Sequence, residues 1–209
     1  MYKDKIISIE GGDGSGKTTI IEMIENYFIE KKIKYMVTRE PGGVEISESI
    51  REIVLNKNNT EMDAKTEALL YAAARRQHLA EKVIPQLSSG KVIIFDRYVD
   101  SSVVYQGYVR GLGMEEVYNL NLFATEGFLP GLTILLDVEP EVGLKRISEN
   151  NREKDRLDLE GLDFHEKVRE GYLELAKKNP DRIVVIDANQ DAESVFERMM
   201  EHINEFLED

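Results

Sequence analysis

The sequence predicts an α/β protein with a parallel five-stranded sheet and helices on both faces. Three observations predict it. Short apolar segments of strand length recur along the chain, and longer amphipathic segments separate them. Several apolar segments (VIIF, LTILL, IVVI) are near-continuous rather than alternating, as strands covered on both faces are. A glycine-rich turn follows the first strand and opens directly into an amphipathic segment.

The elements follow in order. Residues 5–10 (KIISIE) read as the first strand, followed by Gly11, Gly12, Gly14 and Gly16. Ile20, Ile24, Tyr27 and Phe28 then fall on one helix face. Residues 34–38 (KYMVT) are a second strand, and 46–55 a short helix through Ile46, Ile50, Ile53 and Val54. Residues 63–87 read as a long helix with Pro85 near its end and Gly90 beyond it. Residues 92–95 (VIIF) form a strand closed by Asp96. Val117, Leu120 and Phe123 mark the apolar face of another helix, which Gly127 stops. Residues 132–136 (LTILL) form the fourth strand, and Pro140 opens the helix after it. Residues 183–186 (IVVI) form the fifth, and Val195, Met199, Ile203 and Phe206 mark the last helix. No linker or repeat divides residues 1–209, so one domain is expected. Ligands of such sheets bind beyond the carboxyl ends of the strands, where Gly11, Arg39, Asp96, Asp137 and Asp187 fall.

Composition excludes several functions. The 209 residues carry 27 Lys+Arg against 40 Asp+Glu, a net charge of −13. That disfavours non-specific nucleic-acid or membrane-surface binding, which needs a basic face. There is no cysteine, so disulfides, thiolate metal sites and a cysteine nucleophile are ruled out. The three histidines, His78, His165 and His202, flank no obvious nucleophile. No apolar run has transmembrane length, and the N-terminus does not read as a signal peptide, so a cytoplasmic enzyme is expected.

The chemistry begins at Gly11-Gly12-Asp13-Gly14-Ser15-Gly16-Lys17-Thr18, a match to G-x-x-x-x-G-K-[ST] between strand and helix. Glycines let backbone N–H groups curl around phosphate oxygens, and the helix N-terminus adds positive dipole. Lys17 is placed for the β- and γ-phosphates of a bound nucleotide, and the Thr18 hydroxyl for Mg²⁺. Asp96, closing its strand, is a second candidate for the Mg²⁺ shell. An acidic chain that binds phosphates must concentrate positive charge locally. Arg39 and Arg97, each at a strand end, and Arg75 are the leading candidates; Arg51, Arg110, Arg152 and Arg156 are others.

Taken together, the chain resembles the thymidylate kinases of the bacterial type, and the resemblance spans nearly its whole length. It is carried by GGDGSGKTT at 11–19, TREPGG at 38–43, AAARRQH at 72–78, DRYVDSSVVYQG at 96–107 and REKDRLD at 152–158. It implies a nucleoside monophosphate kinase-like three-layer P-loop fold with a short lid at about 149–161. It implies transfer of phosphoryl from ATP to dTMP with Mg²⁺, and a homodimer. By the same resemblance Arg39 and Arg97 hold the acceptor phosphate and Arg75 reads the thymine edge. Tyr71 stacks on the base, where phenylalanine is common in the family, so its hydroxyl is a departure. Ser102 and Gln106 line the base pocket, Tyr105 lies near the sugar, and Asp13 faces the sugar–phosphate region. Arg51 lines the acceptor pocket. Thymidylate kinases whose phosphate loop lacks a basic residue carry catalytic arginines in the lid, which points to Arg156 and then Arg152. The alternatives are another small P-loop kinase acting on dUMP, dCMP or a deoxynucleoside, and a P-loop regulatory switch.

Overall fold

The structure, a computed structural model, describes residues 3–149, 156–157 and 160–208. After a 3-10 turn come β1 (Ile6–Glu10), α1 (Lys17–Glu30), β2 (Tyr35–Arg39), α2 (Glu45–Leu55) and α3 (Ala64–His78). A π-helical turn, Leu79–Val83, joins α3 to α4 (Ile84–Ser88). Next come β3 (Val92–Asp96), α5 (Val99–Ser102) with its π-helical continuation Val103–Val109, and α6 (Met114–Thr125). The chain ends with β4 (Leu132–Asp137), α7 (Pro140–Glu149), α8 (Leu162–Lys178), β5 (Ile183–Asp187) and α9 (Ala192–Glu208). Among the described residues no helix is long and apolar enough to cross a membrane.

The five strands are all parallel, in the order β2-β3-β1-β4-β5. β1 is central, with β3 on one side and β4 on the other. The loops that follow these three strands therefore meet at one edge of the sheet. Alternate strand residues face opposite cores. Ile6, Ile93, Phe95 and Leu135 pack with Leu79, Val99, Val104, Val168 and Tyr172. Ile7, Ile9, Ile94 and Leu136 pack with α1 and α9 through Ile20, Ile24, Phe28, Met199 and Ile203. This is the expected three-layer sheet.

The long helix expected at 63–87 begins as expected. Asp63 caps it, accepting from the Thr66 N–H at 3.0 Å. It reaches Ser88 only by widening one turn, where the Ile84 N–H bonds the Leu79 carbonyl. Pro85 has no N–H, and its ring would crowd the carbonyl four residues earlier, so a wider turn before it relieves the clash.

On α6 the expected apolar face is corrected. Val117 is buried, but Phe123 is 85% exposed, and Asn121 and Ala124 face inward instead. The inward position is polar because the buried Arg75 takes Asn121 as an acceptor. The hydropathy pattern sets no bounds for α8, whose buried stripe mixes Phe164, Val168 and Leu175 with His165, Gly171 and Tyr172.

Candidate active site

The phosphate loop runs from the end of β1 to the first turn of α1. Gly16 caps that helix at φ 92°, a left-handed conformation that glycine adopts without steric cost. Gly14, at φ +74°, lies so close to α7 that a Cβ there would collide with the Gly143 backbone. The loop therefore rests on α7. Lys17 folds back beneath it, its Nζ donating to the carbonyls of Gly11 at 3.1 Å and Gly12 at 2.9 Å, and to Ser15 Oγ at 3.3 Å. Burial, and then the Arg97 charge, lower its pKa to about 8, against the opposing pull of Asp96, Asp13 and Glu10.

Thr18 is exposed in the first turn of α1. Asp96 Oδ1 is buried and makes no hydrogen bond among the described residues. A buried carboxylate oxygen without a partner is costly, and it lies at the strand end beside the loop. That oxygen and the Thr18 hydroxyl suit a Mg²⁺ ion held largely by phosphate and water oxygens. Among the described residues no cluster of three acidic or histidine side chains forms an all-protein cage for a metal.

A cavity of about 570 Å³ opens at this edge of the sheet. Asp13, Gly14, Ser15, Gly16, Lys17 and Thr18 line one end, and Asp96 lines it too. Arg39, Arg51, Tyr71, Arg75 and Arg97 line the rest, together with Ser102, Tyr105 and Gln106. Gly11 and Gly12 contribute their carbonyls to Lys17 rather than wall to the cavity.

Arg39, Arg75 and Arg97 are already held by carboxylates. Arg97 follows β3 at φ +65°. Its Nη2 donates to Asp13 Oδ1 at 2.8 Å, and its guanidinium lies 5.3 Å from the Tyr105 ring centroid. The Tyr105 hydroxyl reaches the other Asp13 oxygen at 3.5 Å. Arg39, half exposed, forms a two-pronged pair with Glu48 at 3.0 and 3.1 Å. Arg39 and Arg51 both donate to the Pro41 carbonyl, at 3.1 and 2.9 Å.

Arg75 is 2% exposed. Its Nε donates to Glu40 Oε2 at 2.6 Å, Nη1 to Ser102 Oγ at 3.2 Å and to Asn121, and Nη2 to the Tyr98 carbonyl at 3.1 Å. Glu40 also meets His78 Nδ1 at 3.1 Å, and His78 Nε2 meets Thr38 Oγ1 at 2.8 Å. His78 is thus a fully bonded core histidine. Gln106 donates its amide N–H to buried Glu67 at 2.8 Å.

Arg156 does not line the cavity. Its Nε donates to the Val54 carbonyl at 2.9 Å, its backbone N–H to Leu55 at 3.2 Å, and its Nη2 pairs with Glu67. It satisfies the carbonyls left open at the C-terminus of α2. Arg152 lies outside the described residues. Several residues here were not singled out from sequence: Glu10, Glu40, Glu67 and Arg146. Arg146, on α7, reaches the Gly14 carbonyl at 3.3 Å and the Ala188 carbonyl at 3.2 Å, and lines the cavity beside the phosphate loop. The signal for Glu40 was its place inside TREPGG; the others carry no local signal.

The family model for thymidylate kinase matches residues 9–199. The chain belongs to the thymidylate kinase family. Among curated thymidylate kinases, that of Clostridium novyi (strain NT) is 61% identical over 200 residues, covering 95% of this chain and 98% of that one. That of Bacillus thuringiensis (strain Al Hakam) is 52% identical over 206 residues, covering 98% and 99%. The crystal structure of thymidylate kinase from Ehrlichia chaffeensis superimposes with a TM-score of 0.74 at 30% identity, covering 95% of this chain and 97% of that one. The fold and the kinase assignment implied by the sequence motifs are those of the family.

Proposed function

We propose that this chain transfers the terminal phosphoryl group of ATP to dTMP, giving ADP and dTDP. One observation carries the reading: a phosphate loop with its lysine and a cluster of preset arginines line the two ends of a single cavity. A nucleotide-binding switch needs the first feature and has no use for the second.

ATP phosphates would lie in the loop, with Lys17 leaving its carbonyl partners for the β- and γ-oxygens. The base of ATP would sit where Arg146, Ala188, Ala192 and Val195 line the cavity. The dTMP phosphate would lie between Arg39, Arg97 and Arg51, which also turn its attacking oxygen toward the γ-phosphorus. That phosphate is largely dianionic near neutral pH, so its oxygen attacks without a general base. Alignment and charge stabilisation remain as the protein's task. Thr18 and Asp96 would hold Mg²⁺, which when bound neutralises phosphate charge and orients the β- and γ-oxygens.

Base selection follows from donor counting. Arg75 has five N–H groups, and its four partners among the described residues leave one on Nη2. That N–H suits the O4 acceptor of thymine and opposes the amino group of cytosine. Tyr71 is the ring for stacking, Ser102 and Gln106 complete the base pocket, and Tyr105 with Asp13 bounds the sugar side. Arg152 and Arg156 are the lid candidates for charge on the transferring group. Arg156 would have to exchange Glu67 for phosphate to act there.

Ile46, Ile53, Leu69, Leu122 and Phe123 are exposed on α2, α3 and α6, which pack side by side. A homodimer through this face would bury them. With a net charge of −13, neither nucleic acid nor a membrane is a partner in this reading, and the cytoplasm is its setting. The test is ADP release with ATP and each of dTMP, dUMP and dCMP in turn. The expected order is dTMP first, dUMP lower by a factor one methyl can supply, about 10–200-fold, and dCMP lowest. Release that is independent of the monophosphate, or fastest with dCMP, would contradict the proposal.

A further inference from the structure

Arg97 sits in a backbone conformation that side chains rarely adopt, with φ at +65°. Such a residue persists only where its surroundings over-determine it. The contacts to Asp13 and Tyr105 orient the guanidinium from one side, and the Arg97 N–H is held by the Ile9 carbonyl at 3.1 Å; the peptide that follows Arg97 and the other side of the guanidinium remain to be explained. Both lead to Glu10.

Glu10 ends β1 and is fully buried. Its Oε1 accepts from the backbone N–H of Tyr98, the residue after Arg97, at 2.7 Å, and from Ser8 Oγ at 2.7 Å. Its Oε2 accepts from Ser101 Oγ at 2.6 Å and Tyr172 Oη at 3.0 Å. The same two hydroxyls accept from Arg97 Nη1, at 3.4 and 3.2 Å. They are also 2.8 Å from each other. However their two protons are shared, the chain of donors ends on Glu10, so the lone pairs left over face the guanidinium. No basic side chain forms an ion pair with Glu10 among the described ion pairs. Burial and then the Asp100 charge push its carboxyl up, while Ser101, Ser8 and Arg97 pull it down.

We propose that Glu10 is the positioning residue for Arg97: it holds the strained backbone through the Tyr98 N–H and the guanidinium through Ser101 and Tyr172. Glu10 does not touch substrate. The inference rests on the reading of Arg97 as a ligand of the acceptor phosphate. It differs from a plain structural role, in which Glu10 would only tie β1 to α5 and α8.

The experiment is a double-mutant cycle on the full chain. kcat and KM for dTMP are measured at saturating ATP for wild type, Glu10→Gln, Arg97→Ala and the double variant. Arg97→Ala should lower kcat/KM for dTMP by about 100-fold or more. Glu10→Gln should lower it by about tenfold in the wild-type background and by less than about twofold when Arg97 is already gone. Tyr172→Phe keeps the ring and the carboxylate and serves if Glu10→Gln fails to fold. It should cost about threefold beside Arg97 and nothing measurable without it. Equal losses in both backgrounds, with Arg97→Ala damaging, would overturn the role of Glu10 alone. A silent Arg97→Ala would overturn the reading of Arg97 itself, and the role of Glu10 with it.

Discussion

The two ends of the cavity are made of different material. The end proposed for ATP is largely backbone: glycines, a helix N-terminus, and Lys17 and Arg146 resting on carbonyl oxygens. The end proposed for dTMP is side chains, and three of its arginines come with carboxylates, Arg39 with Glu48, Arg75 with Glu40 and Arg97 with Asp13. This difference resolves an electrostatic puzzle. A chain of net charge −13 must attract two anionic ligands. At the acceptor end its carboxylates do not merely repel phosphate. In the proposed reading they fix guanidinium groups in place before a ligand arrives, which would lower the ordering cost of binding. At the end proposed for ATP the glycine-bounded loop shape would serve that purpose, and the lysine would exchange its carbonyl partners for phosphate.

If that contrast is right, changes at the two ends should separate stability from rate. The largest effect expected is on folding, from Glu40→Ala. It leaves the buried Arg75 without its carboxylate, and breaking such a pair costs about 3–5 kcal/mol. Urea unfolding should show the loss; an unchanged midpoint would mean that Arg75 is not held by charge. Next, Lys17→Met should lower kcat by about 100-fold or more without lowering stability, because it removes a charge that burial already disfavours. Full activity would remove the donor loop from the chemistry.

A smaller effect sharpens the donor end further. The Lys17 pKa is lowered to about 8 in the free chain. Bound phosphates favour the ammonium, so the pKa rises on ATP binding. Below pH 8 the group is already charged and affinity is flat; above it each bound ATP must take up a proton. The Kd for ATP should therefore rise by up to about tenfold per pH unit above 8. Titrations from pH 7 to 9.5 test this, and Lys17→Arg, which stays charged, should flatten the curve. The smallest effect is expected from Glu48→Gln. The Arg39–Glu48 pair is 47% and 39% exposed. Solvent screens it, so stability should shift by less than about 1 kcal/mol in the same urea assay.

The same contrast explains what could be read without coordinates. The donor loop is contiguous, so its sequence is its structure. Arg39 and Arg97 were legible because strand ends in a parallel sheet face the ligand. Glu10 and Tyr172 are 162 positions apart and Arg75 and Asn121 are 46 apart. Nothing local marks them as partners. Phe123 misled for a related reason. The helix turns a polar Asn121 inward for Arg75, so its apolar stripe is not its buried one. Arg156 lies in a matched motif, yet the fold places it on Glu67 and the end of α2.

The most direct measurement of the central claim is calorimetric titration of dTMP into the nucleotide-free chain, for wild type and for Lys17→Met. If the acceptor end is preset by its own carboxylates, dTMP binds one site per chain without ATP. Its Kd then agrees between the two proteins to within about threefold. Binding that appears only once ATP is present, or that Lys17→Met abolishes, would contradict it.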